Sequence, residues 1–334
     1  MPPPQDPTAE AEWLSRARAG DAEAFDRLMA PQHRQLHTHC YRMLGSPVDA
    51  DDALQETLLA AWRGLAAFES RSALGTWLYR IATHVCLRMI ARRPRRMTSP
   101  DHGAAFQATA DLGEAVAGAA WLEPLPDEER ADPLAALQRR EHVALAFVAA
   151  LQHLPGTQRA VLLLREVLGY SAAEAAEMLH TSVASVNSAL QRAQATVKAR
   201  TPAAAPQVLG DERDLLQRFV SAWERRDIAA MVGLLAEDAR FTMPPLPAWF
   251  EGRRFVEKFF AERVFETPWR LLPLRGNGQP GFACYMQALG DDRLRPGGVV
   301  LLRLRDGLVA SIDSFIDPAV CRRFGMHDVL PPDR

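Results

Sequence analysis

The chain has 334 residues and a mass of 37.0 kDa, which exceeds the usual size of one domain and predicts two or three separate cores. Hydrophobic residues make up 48% of the sequence and charged residues 24%, as in globular proteins, and no apolar run approaches the roughly 20 residues that span a bilayer. The net charge of -2 argues against a uniformly basic nucleic-acid binder, so any such function must depend on a local patch.

The N-terminus and the cysteines favour an intracellular protein without metal. The first residues, MPPPQDPTAEAEW, lack the basic start and apolar centre of a secretory signal, so we expect a cytoplasmic, non-membrane protein. The four cysteines lie far apart without metal-ligand spacing, which predicts buried free thiols instead of disulfides or a zinc site. We expect no cofactor and no catalytic residues.

Residues 10–96 are predicted to be helical throughout. One helix starts near Asp49, where acids in the first turn suit the helix dipole, and a second runs over about 72–93 and ends at Pro94. The second helix and its end are basic, because arginines recur between 71 and 96 and no acid occurs there. The predicted buried stripes are Leu54, Leu58, Ala61 and Leu65 in the first helix and Leu74, Leu78, Ile81, Val85 and Met89 in the second.

The rest of the chain alternates between linkers and folded segments. Residues 97–132 form an acidic stretch without periodicity, which predicts a partly extended linker, and residues 133–200 resume a helical pattern. A second linker, 201–210, precedes an α+β domain over 211–330. Strands are expected at 239–243, 269–275, 281–288, 298–304 and 308–316, as an antiparallel meander.

The stretch SAAEAAEMLHTSVASVNSALQRA, Ser171 to Ala193, predicts a helix-turn-helix. Ser171 with Glu174 forms a capping box, and Thr181 or Ser182 can cap the second helix. Val183, Val186, Leu190, Ala193 and Val197 recur at helical spacing and are expected to face the core. The opposite face then carries short hydroxyls, amides and an arginine, which suit a DNA major groove, although an ordinary solvated face is the alternative.

Three regions of the chain resemble known proteins, the first two in the order and spacing of one family. LQHLPGTQRAVLLLREVLGYSAAEAAEMLHTSVASVNSALQRAQATVKA resembles region 4 of extracytoplasmic-function (ECF) sigma factors of the sigma-70 family. DADDALQETLLAAW and SALGTWLYRIATHVCLRMIARR resemble the clamp-binding and minus-10 helices of region 2. MPPLPAWFEGR, NGQPGFACY and SFIDP resemble a SnoaL-like extension of the nuclear-transport-factor-2-like fold. The resemblance implies all-α region 2 (10–96), all-α region 4 (133–200) and a cone-shaped α+β domain (211–330).

The resemblance also assigns partners and residue roles. It implies binding to core RNA polymerase, at the β′ clamp helices and the β flap, and to promoter DNA. The residues matching the clamp contact are Asp51, Asp52, Gln55 and Glu56. Those matching the minus-10 contact are Phe68, Arg71, Ser72, Trp77, Arg80, His84, Arg88, Arg92 and Arg93. Those expected at the minus-35 element are Ser182, Ser185, Asn187, Ser188, Gln191 and Arg192.

The sequence departs from the family pattern at three positions. His84 and Arg88 stand where the family usually shows Asn and Asp, so base reading there is expected to differ. His180 occupies the turn of the helix-turn-helix, where Gly is common and a left-handed backbone is expected.

The C-terminal domain is expected to modulate sigma activity instead of catalysing a reaction. Some relatives of the fold are enzymes, and a pocket would be lined by Met243, Trp249, Phe250, Tyr285 and Asp313; the alternative is a filled core. A small ligand or a regulatory protein is the expected partner. Two rival interpretations are a one-component ligand-responsive transcription regulator and a SnoaL-like enzyme fused to a DNA-binding segment.

Overall fold

The computed structural model describes residues 7–69, 72–116, 120–127, 144–200, 212–287, 290 and 292–330. The chain forms two compact units. The first combines Met1–Arg95 with Phe147–Thr201, and the second combines Arg96–Ala146 with Pro202–Arg334. Within the described ranges, none of the helices has the length and hydrophobicity that a membrane span requires.

The helices and strands are numbered in chain order. The helices are α1 (Pro7–Arg18), α2 (Ala22–Leu44), α3 (Pro47–Gly64), α4 (Leu74–Ile90), α5 (Ser99–His102), α6 (Leu145–Gln152), α7 (Gly156–Leu162), α8 (Ala172–Met178), α9 (Val183–Arg200), α10 (Glu212–Glu224), α11 (Ile228–Leu234), α12 (Arg253–Glu262) and α13 (Pro318–Arg323). The strands are β1 (Leu235–Thr242), β2 (Trp249–Glu251), β3 (Trp269–Gly276), β4 (Gln279–Gln287), β5 (Leu294–Arg305) and β6 (Leu308–Phe315).

Local signals explain where the helices of the first unit begin. Asp21 caps α2 by accepting a hydrogen bond from the Ala24 amide (3.1 Å), and Ser46 caps α3 by accepting from the Asp49 amide (3.3 Å). The buried residues of α3 are Pro47, Asp49, Ala50, Ala53, Thr57 and Ala61. Of the predicted stripe, Ala61 and Leu65 are buried, Leu65 just beyond the end of α3, whereas Leu54 and Leu58 are only partly buried because small side chains fill the packed face.

A buried arginine joins the two sequence segments of the first unit. Arg159 of α7 donates to the backbone oxygens of Met43 and Leu154 and to Gln152 Oε1, the last at 2.7 Å. Burial lowers the pKa of Arg159 to about 10. Because an unpaired charge would be costly in this position, the carbonyl groups around Arg159 fix how α7 meets the end of α2.

The second unit is built on one six-stranded sheet with the order β2-β1-β6-β5-β4-β3. The strand pairs are antiparallel except β1 with β6, which are parallel, so the expected antiparallel meander is wrong at this pair. Helices α10, α11 and α12 contribute to an aromatic core on one face of the sheet. In that core the ring centroids of Trp223 and Phe260 lie 5.0 Å apart, edge to face.

Close strand approach predicts the effect of one glycine substitution. A Cβ on Gly281 of β4 would overlap the Val300 carbonyl of β5 and approach Leu301 Cδ2 to 2.8 Å. We predict that Gly281→Ala destabilises the second unit by about 1–3 kcal/mol, which calorimetry would show as a lower Tm. Gly233→Ala is the control, since a Cβ there meets nothing within 4 Å in α11 and should stabilise the helix slightly. Equal Tm values for the two variants would contradict the packing argument.

Candidate functional site

The outward face of α9 carries the residues expected at the minus-35 element. Val186, Ala189 and Ala193 are buried, whereas the side chains on the other face are exposed. Those exposed residues are Ser182, Ser185, Asn187, Ser188, Gln191 and Arg192. Val183 was expected in the core but is 44% exposed, because the helix begins there and the chain has not yet reached the packed side.

Capping fixes the geometry of the helix-turn-helix. The Ser171 amide donates to Glu174 Oε2 (2.7 Å) and the Glu174 amide donates to Ser171 Oγ (3.2 Å), as the capping box predicts. Ser182 Oγ accepts from the Ser185 amide (3.2 Å), so Ser182 caps α9. His180 has φ 51°, the left-handed conformation that the sequence predicts at the turn.

The residues expected at the minus-10 element do not share one environment. Phe68 is buried, with its ring centroid 4.9 Å from that of Trp77, and the Arg18 guanidinium lies over its ring. Trp77 is half-buried at the start of α4, and Ser72 is exposed. Arg71 lies outside the described residues. Phe68 and Trp77 are thus in ring contact, with Phe68 buried in the helical core and Trp77 partly exposed.

Two further residues of α4, both partly exposed, contact the helix-turn-helix. Arg80 Nη2 lies 3.1 Å from His180 Nε2, and His84 Nε2 lies 2.8 Å from the Met178 backbone oxygen. Both contacts join residues about a hundred positions apart in the sequence. They place the basic helix α4 beside the end of α8 and the α8–α9 turn within the first unit.

The acids expected at the polymerase clamp pair with basic residues of the same unit. Glu56 Oε1 lies 2.6 Å from Arg88 Nη2, and Arg93 pairs with the buried Asp49 and lies 3.7 Å from Asp52. The exposed pairs Glu56–Arg88 and Asp52–Arg93 contribute at most about 1 kcal/mol each to the stability of the fold. The acidic end of α3 and the basic end of α4 therefore lie side by side and largely neutralise one another.

The remaining predicted residues of these helices are easily located. Asp51 Oδ1 lies 3.0 Å from His37 Nε2, while Gln55 and Arg92 are exposed. Sequence reasoning missed the apolar part of the same surface: Leu59 is 56% exposed and Trp62 is 37% exposed. The sequence did contain a signal that they are exposed: they lie one turn and two turns beyond Gln55 and outside the predicted buried stripe.

The segment expected to be an acidic linker packs against the C-terminal domain within the second unit. At the β3–β4 turn, the Leu125 amide donates to Asn277 Oδ1 (2.8 Å) and the Asn277 amide donates to the Leu125 oxygen (2.9 Å). The Gly278 amide donates to Asp127 Oδ1 (2.9 Å). Asn277 is fully buried with φ 53°, so its side chain and backbone both serve this contact.

A second set of contacts holds the earlier part of the segment. Trp249 Nε1 donates to the Gly103 oxygen (2.9 Å), and the Phe106 amide donates to the Trp249 oxygen (2.7 Å). Arg263 Nη1 donates to the Thr109 oxygen (3.1 Å). Phe106 and Leu112 also pack against the aromatic core. Residues 103–127 are here called the connecting segment, and its described parts, 103–116 and 120–127, are bound by hydrogen bonds that involve its backbone and by apolar contact.

The candidate pocket residues are divided between the two faces of the sheet. Met243 and Phe250 belong to the aromatic core, in which Phe250 stacks on Phe259 with centroids 4.6 Å apart. Trp249, Tyr285 and Asp313 alternate with core residues along β2, β4 and β6 and so lie on the opposite face. The five side chains therefore do not line one cavity.

Asp313 is held by hydroxyl groups. Thr242 Oγ1 donates to its Oδ1 and Ser311 Oγ donates to its Oδ2, each at 3.0 Å. Burial raises the pKa of Asp313 above its usual range, and the two hydroxyl donors oppose that shift. A groove of about 310 Å³ lies elsewhere in the domain, between α10 and α11, and its lining includes Arg218, Arg225 and Gly233.

Comparison with known proteins gives three matching family models. They are Sigma-70 region 2 over residues 28–96, Sigma-70 region 4 over 144–196 and a SnoaL-like domain over 216–312. The chain is 41% identical over 325 residues to the ECF RNA polymerase sigma factor SigG of Mycobacterium tuberculosis, a match that covers 94% of this chain and 86% of that protein.

Two further matches agree with this result. The ECF RNA polymerase sigma factor SigM of Mycobacterium tuberculosis is 33% identical over 187 residues, which cover 56% of this chain and 82% of SigM. The crystal structure of the extracytoplasmic function sigma factor SigJ from Mycobacterium tuberculosis has a TM-score of 0.62 and 21% identity, over 89% of this chain and 98% of SigJ. That structural match supports the fold.

Proposed function

We propose that this chain, which belongs to the ECF RNA polymerase sigma factors of the sigma-70 family and so directs core RNA polymerase to promoters, is controlled by its own C-terminal SnoaL-like domain. The observation that carries this proposal is the binding of the connecting segment to that domain. The segment joins region 2 to region 4, so the domain controls the link between the two promoter-binding parts.

The minus-35 contact is assigned to the outward face of α9. The face carries hydroxyls, amides and one cation, and its side chains are exposed in the first unit. An arginine can donate two hydrogen bonds to guanine, whereas serine and asparagine reach bases or phosphates at shorter range. No acid lies among these residues to repel the DNA backbone.

Arg192→Ala should weaken binding of the holoenzyme to a promoter fragment by about 1–3 kcal/mol, because a bidentate contact with guanine contributes that much. Lys198→Ala is the matched control, since Lys198 is another exposed cation of α9 but lies in its last turn, away from the N-terminal turns that reach the bases. Fluorescence anisotropy at several salt concentrations measures both variants. If Arg192 contacts only phosphate, the loss will be the same on every sequence; no loss on any promoter would remove the assignment.

The polymerase contact is assigned to α3. Its surface combines the exposed carboxylates of Asp52 and Glu56 with the exposed apolar side chains of Leu59 and Trp62. Carboxylates provide charge complementarity to the basic residues of a partner, and the apolar pair provides the desolvated centre that protein interfaces need.

The double variant Asp52→Lys, Glu56→Lys should bind core polymerase at least about tenfold more weakly, because it reverses two charges and places lysines beside Arg88 and Arg93. Glu23→Lys is the control, as Glu23 has a comparable exposed partner in Arg27 on α2. Affinity is measured with a labelled sigma factor and core enzyme. Equal affinities for the double variant and the wild type would eliminate α3 as the clamp contact.

Holding the connecting segment limits how far regions 2 and 4 can separate. The minus-10 and minus-35 elements lie about 25 base pairs apart, which is roughly 85 Å along B-DNA. The 25 residues from Gly103 to Asp127 can extend by up to roughly 85 Å when released. Binding the segment to the C-terminal domain therefore fixes the distance between its two ends, which could otherwise vary up to a length similar to the spacing that the promoter imposes.

We propose that the domain acts without catalysis. Asp313, the acid expected to serve in a pocket, lies on the sheet face opposite the aromatic core and is bound by Thr242 and Ser311. The core face itself is filled by phenylalanine and tryptophan rings. Both features favour a structural role for this fold in the chain.

Asn277→Gly should raise transcription from the cognate promoter at least about threefold when core polymerase is saturated with sigma factor. The change keeps the left-handed turn but removes the acceptor for the Leu125 amide, a loss that costs roughly 1–3 kcal/mol of segment binding. Asp306→Gly is the control, because Asp306 has the same φ of 53° but lies in the β5–β6 turn instead of the β3–β4 turn that binds the segment. Run-off transcription measures both.

Truncation after Arg200 tests the same proposal without relying on a single contact. Removal of the domain should change promoter output in the same direction as Asn277→Gly while core affinity is preserved. Output equal to that of the full chain for both the variant and the truncation, across several promoters, would refute control by the domain.

A further inference from the structure

Two of the residues that depart from the family pattern contact each other. His84 lies on α4 in region 2, and His180 lies in the α8–α9 turn of region 4. Their rings stack with centroids 5.4 Å apart and an interplanar angle of 26°. A contact between two unusual residues, one from each promoter-binding region, has no place in the DNA-binding roles assigned above.

The hydrogen bonds around the pair link the two histidines to both helical segments. Arg80 Nη2 lies 3.1 Å from His180 Nε2, and a guanidinium can only donate. His180 Nε2 therefore accepts in this contact. His84 Nε2 lies 2.8 Å from the Met178 oxygen, which can only accept, so His84 donates at Nε2.

The same interface continues along α4 within the first unit. Tyr79 meets Tyr170 edge to face with centroids 6.4 Å apart. A Cβ on Gly156 would lie 3.1 Å from Leu87 Cδ2, which shows how closely α7 approaches α4. The contact between the two histidines thus lies between two other contacts along α4, those of Tyr79 and Leu87. It involves side chains that are expected to read the minus-10 element.

We infer that Arg80, His84 and His180 form a latch that holds region 4 against the minus-10 helix and keeps the free sigma factor closed. The latch occupies Arg80 and His84, both of which are assigned to DNA. It must open for regions 2 and 4 to address promoter elements that lie roughly 85 Å apart. Opening therefore precedes or accompanies binding to core polymerase, and a weaker latch gives tighter core binding.

The contact is local and exposed to solvent. The charged or polar groups near His180 are Arg80 and His84 on α4 and Glu177, whose backbone oxygen accepts from the His180 amide and whose side chain is exposed. A substitution of His180 therefore removes the contact with α4 without disturbing a buried core.

His180→Gly is the central test. Glycine suits the left-handed backbone, so the variant should fold at least as stably as the wild type, yet it removes both the stacking partner and the acceptor for Arg80. We expect its affinity for core polymerase at pH 8 to exceed that of the wild type roughly fivefold. Arg226→Gly is the control, because it relieves a similar φ of 57° far along the sequence in the second unit and should leave core affinity unchanged.

The ratio of the two affinities isolates the latch from effects common to both proteins. Measured by anisotropy with the full-length chain and core enzyme, His180→Gly should bind about five times more tightly than the wild type. Effects common to both proteins cancel in the ratio. A ratio of one would overturn the inference.

A double-mutant cycle tests whether Arg80 acts through His180. Arg80→Met alone should also raise core affinity at pH 8, and combining it with His180→Gly should add little, since each removes the same bond. Strictly additive effects would overturn the inference. The readout is core affinity of the intact chain, whereas control by the C-terminal domain is read as output at saturating sigma factor, so failure of either proposal leaves the other standing.

Discussion

The organisation of this sigma factor follows from one covalent constraint: the chain passes from one compact unit to the other three times. It leaves the first unit after Arg95, returns at Phe147 and leaves again after Thr201. The residues between regions 2 and 4 therefore belong to the same unit as the C-terminal domain. Any event in that domain that binds or releases the connecting segment changes the tether between the promoter-binding regions without altering either region directly. Tethering also makes weak contacts effective, because the local concentration of the segment at the domain is high.

Polar groups, more than apolar ones, determine how the segments of each unit meet. Arg159 is buried and its charge is matched by carbonyl oxygens, and Asn277 is buried with its amide matched by the backbone of the connecting segment. Burying such groups contributes little net stability, but leaving one of them unmatched is costly. These contacts consequently specify one arrangement and disfavour near alternatives. By contrast, the pairs Glu56–Arg88 and Asp52–Arg93 are exposed, so a binding partner can replace one residue of each pair at a low cost in free energy.

Sequence reasoning was strongest where the determining interactions are local. The capping box at Ser171 and the exposed face of α9 follow from neighbouring residues, and the left-handed turn at His180 was expected from the resemblance to proteins with Gly at this position. It was weakest where distant residues decide the outcome. The parallel pairing of β1 with β6 depends on a partner far along the chain, and the connecting segment shows no periodicity because turns and strand edges of another domain bind it. Trp249 and Phe250 show the same limit, since adjacent strand residues face opposite sides and composition does not reveal which side is filled.

The three departures from the family pattern are explained by contacts within the chain. Arg88 pairs with Glu56 of the clamp-facing helix, and His84 stacks on His180 of region 4. Arg88 thus pairs with a residue that is proposed to bind polymerase, and His84 stacks on a residue of the region that is proposed to bind the minus-35 element. On these assignments, core polymerase competes with Arg88 for Glu56, and separation of region 4 from region 2 exposes His84 and Arg80 together. His84 and Arg88 replace residues that the family usually has in the minus-10 helix, and they thereby link DNA reading to polymerase binding. The link arises because these side chains cannot form their contacts within the closed chain and contact DNA at the same time.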